Sequence, residues 1–340
     1  SLFSPENTES LKKIGEYVDI KYTLGGIGLA ILLLSIYQLI IAIKTARFSK
    51  KFQETPQESF SYLSDFSHLN KPSKIVRLKE ARLQKGQIQK LRIHTLIPVL
   101  CITAAELLIF FGKMEAAVWM HVGTLIAFSL AYMLIKDPEI HKIHQALMLL
   151  PVLRLINLSM PVFFETTLYT FVFVYAPLAI PVAVIVIHQR HSLEQIGISM
   201  KNIEAYMILS VPAGFFLGLG EFLTIRAGYL VPDLTLMNLL KLSVVMVFFV
   251  GLVEEVIFRS ILQTRLQVAL SVQEAILITS ILFGLMHSGY GTFHEIIYTG
   301  FVGLIMGLTF YKTKSLPFVA VLHGLVNVFL FGVFPLYLSA

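Results

Sequence analysis

The residues of this chain able to do chemistry fall in three short strings. GLVEEVIFRS places Glu254 beside Glu255, with Arg259 four positions after Glu255. On a helix that spacing pairs Glu255 with Arg259, in the favoured order of acid before base. Glu254 then points about 100° away around the helix and has no cation of its own, which leaves it free to act as a general base. In SILFGLMHS, Phe283 and His287 are four apart, and in VLHGLVNVF so are His323 and Asn327. Residues at that spacing share a helix face. A histidine and an asparagine one turn apart can donate to a single oxygen, which is what stabilising a tetrahedral oxyanion requires. Each string also has a plainer use. Glu254, Glu255 and Arg259 can be an ion-pair knot between helices, His287 a hydrogen-bonded core histidine, and His323 with Asn327 interhelical glue. Glu254, His287 and His323 could instead ligate a metal ion, as two histidines and a carboxylate do.

The elements that must position these strings are membrane spans. Of 340 residues, 56% are hydrophobic and 14% charged, with a mean hydropathy of +0.76. A soluble domain carries about 25% charged residues, so much of this surface must face something other than water. A spanning helix needs ~20 mostly apolar residues. Such runs occur at about 23–43, 94–112, 116–135, 145–164, 167–187, 206–225, 236–258, 273–288, 294–311 and 317–338. The expected fold is all-α, a polytopic membrane protein with a bundle of about ten transmembrane helices. It divides into a polar N-terminal segment 1–22, an N-terminal transmembrane region 23–205 with a basic inner loop 44–93, and a core 206–340 that holds all three strings. An ionisable side chain at the centre of a span costs ~2.5–3.5 kcal/mol, so those that occur there need a reason. Counting 1.5 Å per residue, His323 lies roughly 10 Å in from the inner end of its span and Asn327 about one turn deeper. Glu254 falls near an inner end and His287 near mid-membrane, so all four can line one cavity opening inward.

Lys and Arg concentrate in 44–93 and recur at Lys136, Lys142, Arg190, Lys201, Arg265, Lys312 and Lys314, all on one side if the spans alternate. The positive-inside rule makes that side cytoplasmic. The expectation is a prokaryotic plasma membrane, with basic loops and site opening facing the cytoplasm. The net charge of +6 follows from those loops, and nucleic acid is not an expected partner; the lipid bilayer is. Segment 72–92 reads as a basic linker helix near the inner leaflet. Residues 1–21 are polar and mixed in charge, unlike a cleavable signal peptide, so the first apolar run would serve as a signal anchor. The single cysteine, Cys101, can form no intrachain disulfide.

EEVIFR, FGLMH and HGLVN, in this order, resemble the three motifs of the CAAX protease and bacteriocin-processing (Abi) family of intramembrane glutamic endopeptidases. The resemblance covers roughly 206–335, with Ser260 where many relatives carry glycine. It implies hydrolysis of a peptide bond in a membrane-anchored protein or peptide, prenylated or a peptide precursor, with no cofactor and no metal. Glu254 and His287 would activate a water, His323 and Asn327 would form the oxyanion hole, and Glu255 and Arg259 would support them. Two other functions stay open on the sequence. One is a catalytically silent membrane scaffold or immunity protein; the other is a proton-coupled transporter whose buried Glu, His and Arg form a relay.

Other protease chemistries find no footing. HEIIY at 294–298 lacks the second histidine of a zinc HExxH site. No Gly-x-Ser-Gly occurs, and GLGE at 218–221 has no Tyr-Asp partner that would complete an aspartyl site. Glu106 and Arg154 are expected to form a buried structural pair. Glu221 is expected near the outer boundary and solvated, and His94, His141, His144, His188 and His191 in inner loops. Phe283 is expected to pack rather than react.

Overall fold

The computed structural model describes residues 74–163, 167–189 and 193–338. The polar N-terminal segment, the span expected at 23–43 and His191 lie outside the described residues. Nine long helices run through the described part: α1 (Lys74–Phe110), α2 (Met114–Leu134), α3 (Pro138–Phe163), α4 (Leu168–His188), α5 (Ile203–Ile225), α6 (Leu236–Ala269), α7 (Val272–Leu285), α8 (Phe293–Thr313) and α9 (Leu316–Leu338). Among the described residues there is no β-strand. All nine expected runs that fall in the described part correspond to these helices. Eight of them, counting α7 with the turns that continue it to Tyr290, are long and apolar enough to cross a membrane. The exception is α3, whose sequence includes Glu139, His141, Lys142, His144 and Arg154.

The linker helix expected over 72–92 is not a separate element. It continues without a break into the span beginning at Lys85, because Lys, Arg, Gln, Glu and Leu are good helix formers and no proline intervenes before Pro98. The outward faces are apolar: Leu100, Leu130, Ile180, Ile208, Phe216, Leu240 and Phe301 are each more than half exposed. Leaving such a side chain in water forgoes ~1.5–3 kcal/mol, and facing lipid it does not. The apolar window of α9 is 67% buried, against 28% for α2 and α5 and 33% for α1 and α4, so α9 is the central helix.

Two features shape the middle of the bundle. First, α6 is not uniformly wound. The four residues Leu252–Glu255 are α-helical, and the flanking stretches Val245–Gly251 and Val256–Gln263 are π-helical. Such widened turns are rare and gather at functional sites. Second, α6 and α9 cross in backbone contact. A Cβ on Gly251 would stand 2.6 Å from the Ala320 carbonyl oxygen, and one on Gly324 would stand 2.6 Å from Cα of Val247. No larger residue fits either place, and small residues are what let membrane helices approach this closely. The crossing puts Glu254 and Glu255, one turn beyond Gly251, opposite His323, next to Gly324.

Short anchors fix the helix ends. Ser271 and Glu274 form a reciprocal capping box at the start of α7, and Ser315 caps α9. Ahead of α5, the Ile196 carbonyl accepts from Ser260 Oγ at 2.6 Å and the Gly197 carbonyl accepts from the Leu316 amide at 2.7 Å. Ser260 therefore ties that segment to α6.

Candidate active site

Glu255 and Arg259 are fully buried, and Glu255 Oε2 lies 3.0 Å from Arg259 Nε, the i,i+4 pair expected from the sequence. The pair is not closed on itself. Glu255 Oε1 also accepts from Nδ1 of His323 at 2.9 Å. The Arg259 guanidinium carbon lies 5.0 Å from the Phe283 ring centre and 5.8 Å from that of Phe258. Its two terminal amino groups have no hydrogen-bond partner among the described residues, so ring faces take the place of further acceptors.

Glu254 is not the bare carboxylate that the sequence suggested. Tyr175, buried on α4, donates a short hydrogen bond to Glu254 Oε1. Nothing in the sequence marks Tyr175: it is one tyrosine in an apolar run. The other oxygen, Oε2, faces Nε2 of His323 at 3.8 Å, beyond hydrogen-bond distance. Each side chain is thus held at its far end and faces the other across a gap.

His287 departs from the expected helix face. The helix α7 ends at Leu285, with Met286 as its cap, and His287 sits in the following turn at φ −98° and ψ 8°. That sparsely populated bridge region is common at active sites. The expected i,i+4 relation to Phe283 survives as a hydrogen bond, Nδ1 of His287 to the Phe283 carbonyl at 2.9 Å. A carbonyl only accepts, so Nδ1 carries the proton and Nε2 of the neutral ring keeps its lone pair. Phe283 stands between the two histidines, with ring centres 5.1 Å from His287 and 5.7 Å from His323. Glu254 is within electrostatic reach of His287.

Asn327 is buried one turn beyond His323 on the same α-helical stretch, Leu316–Val328. All four expected site residues are therefore carried by α6, α9 and the turn after α7. Among the described residues no group of three or more His, Cys, Asp or Glu is arranged to hold a metal ion.

Several expectations need correction. Glu221 is buried, not solvated, and lies within electrostatic reach of His323 and Glu254. Its face on α5, rather than its depth along the helix, decides its burial. Gly214 and Gly218 of α5 press against Leu325 and Val326 of α9, and a residue three after Gly218 shares that face. His144 is buried within α3, and His94, His141 and His188 are helical as well, rather than in loops. The buried Glu106–Arg154 pair is present, with Arg154 Nε to Glu106 Oε1 at 2.9 Å and Nη2 to Oε2 at 2.5 Å. Glu295 and His121, both fully buried, had no motif to announce them.

Apolar helices enclosing a cluster of glutamate, arginine and histidine at the crossing of two of them define a multi-pass membrane protein with an ionisable site inside its bundle. Residues 236–329 match the model of the family described as type II CAAX prenyl endopeptidase Rce1-like. That segment holds all four candidate site residues, Glu254, His287, His323 and Asn327. No curated protein and no solved structure gives a significant match to the chain.

Proposed function

We propose that the protein is an endopeptidase that cuts a membrane-associated protein or peptide with a water activated by Glu254 and His287. One observation carries the reading. Glu254 Oε2 and His323 Nε2 face each other at 3.8 Å, while Tyr175 and Glu255 hold the opposite ends of the two side chains. Atoms at that separation can each reach one of the two oxygens that share a carbon when water adds to a carbonyl, the attacking one at Glu254 and the carbonyl one at His323.

In this reading a water proton passes to Glu254 as the oxygen adds to the scissile carbonyl carbon. The Nε2 lone pair of His287 accepts the water's second hydrogen bond and orients it. The negative charge that develops on the carbonyl oxygen is met by Nε2–H of His323 and the amide of Asn327. Glu254 then returns its proton to the amide nitrogen as the C–N bond breaks, which restores the site. Glu255 and Arg259 hold His323 in place. Residues 206–340 form the catalytic core, and the described helices α1 to α4 buttress it.

The test is cleavage in liposomes by wild type and Glu254→Gln. The peptides are membrane-anchored, with a prenylated cysteine near the C-terminus or the same sequence carried on a transmembrane helix, each with and without chelator. Chelator-resistant cleavage that disappears in Glu254→Gln is expected. Equal cleavage by Glu254→Gln, or loss with chelator and recovery with added metal, overturns the mechanism. Preference between the two anchors identifies the substrate class.

A further inference from the structure

We infer that Glu106 and Arg154 are positioning residues for His287; the inference rests on the role just given to that histidine. His287 lies in a turn rather than on a helix, and a turn by itself holds a side chain loosely. The residues on either side of it are both tethered to the same ion pair. Arg154 Nη2 donates to the Met286 carbonyl at 2.5 Å, and Ser288 Oγ donates to Glu106 Oε2 at 2.9 Å. Glu106 comes from α1 and Arg154 from α3, both outside the segment that matches the family model. From α2, Nε2 of His121 stands 3.3 Å from Glu106 Oε1. Glu106 and His121 are fully buried and Arg154 almost so.

Two physical points favour a task for this pair beyond joining α1 to α3. A buried ion pair gives little net stability, because desolvation offsets its attraction. In a membrane interior, charge is costly enough that helices are more readily joined by apolar packing. The bonds made here go where a helix end needs them. The last carbonyls of a helix have no partner within it, and the Met286 carbonyl is supplied by Arg154. The two bonds fix residues 286 and 288, so the backbone of 287 between them has little freedom. Together with the bond from Nδ1 to the Phe283 carbonyl, this sets both the ring's position and the direction of Nε2.

The test compares Ser288→Ala and Arg154→Lys with wild type in lipid bilayers. Nitrogen-15 spectra of labelled histidine are read with the His287 signal identified by its loss in His287→Ala, beside kcat and KM on the peptide that wild type cleaves. A misplacement of about 1 Å at a reacting group costs on the order of 100-fold in rate. Arg154→Lys, which keeps the charge and loses the fork, is expected to approach that loss in kcat with KM unchanged. Ser288→Ala, a small change that leaves the ion pair intact, is expected to lose less, and both should shift the His287 signal. An unchanged His287 signal in folded variants overturns the inference, whether or not kcat falls. Should Arg154→Lys fail to fold, Ser288→Ala alone decides. A shifted signal in a protein that cleaves nothing, wild type included, upholds the clamp on His287 and counts against the proposed function instead.

Discussion

Glu255 accepts a hydrogen bond from His323 Nδ1 at 2.9 Å while its other oxygen stands 3.0 Å from Arg259 Nε. The His323 ring is therefore fixed through Nδ1, and its Nε2 is turned towards Glu254 Oε2 at 3.8 Å. Glu255→Gln keeps an oxygen able to accept from Nδ1, whereas Glu255→Ala removes both oxygens. Glu255→Ala should lower kcat on the order of 100-fold, the effect of misplacing a reacting group by about 1 Å, and Glu255→Gln should lose less. Steady-state kinetics of both variants in liposomes check this, and equal losses of kcat in the two defeat it.

Tyr175→Phe should act on the other side of the gap. The ring's place in the core is kept and only the donor to Glu254 is lost. Without that bond the carboxylate is free to turn away from His323, so kcat should fall on the order of tenfold or more with KM little changed. An unchanged kcat in the folded variant would mean that Tyr175 serves packing alone.

Helix type, the nine helices among the described residues and the three candidate strings are legible from residue types, because apolar runs and i,i+4 spacings are local properties. What escaped was whatever depended on a second helix. Tyr175 became part of the site only because α4 lies against α6 at Glu254, and no spacing along the chain encodes that. Glu221 is buried for a related reason: the facing partner, α9, decides burial there, and depth along α5 does not. Glu106 and Arg154 were recognisable as a pair, since two opposite charges in neighbouring spans need one another. Their bonds to Met286 and Ser288 were not, because the end of α7 at Leu285, one turn short of the apolar run's end, is what exposes a carbonyl there.

The crossing of α6 and α9 makes a separate prediction. Gly251→Val and Gly324→Val each insert a side chain where backbone already stands within 2.6 Å. Overpacking of this kind costs about 1–3 kcal/mol, which should appear as a lower melting temperature in detergent. The helices must also move apart, and that separates Glu254 and Glu255 from His323. Activity should fall on the order of 100-fold, well beyond what the stability change alone would remove at a temperature where both variants stay folded. Gly123 serves as the control, since a Cβ added there would meet nothing within 4 Å. Gly123→Val should leave both measurements nearly unchanged.

Phe283 offers the sharpest contrast between packing and function. Its ring meets the Arg259 guanidinium, the Phe258 ring at 5.0 Å and both histidines. Phe283→Leu fills most of the volume but removes the ring face, forfeiting the cation–π attraction of ~0.5–2 kcal/mol and the wall against which both imidazoles rest. Phe258→Leu is the matched comparison, since Phe258 is equally buried and also lies near Arg259 but has no ring contact with either histidine among the described residues. Both variants should lose about 1–3 kcal/mol of stability. Only Phe283→Leu should lower kcat, on the order of tenfold or more, with KM little changed. Equal losses of kcat in the two would mean that the ring acts through general packing. A larger loss at position 283 would mean that it holds His287 and His323 at the spacing the reaction needs.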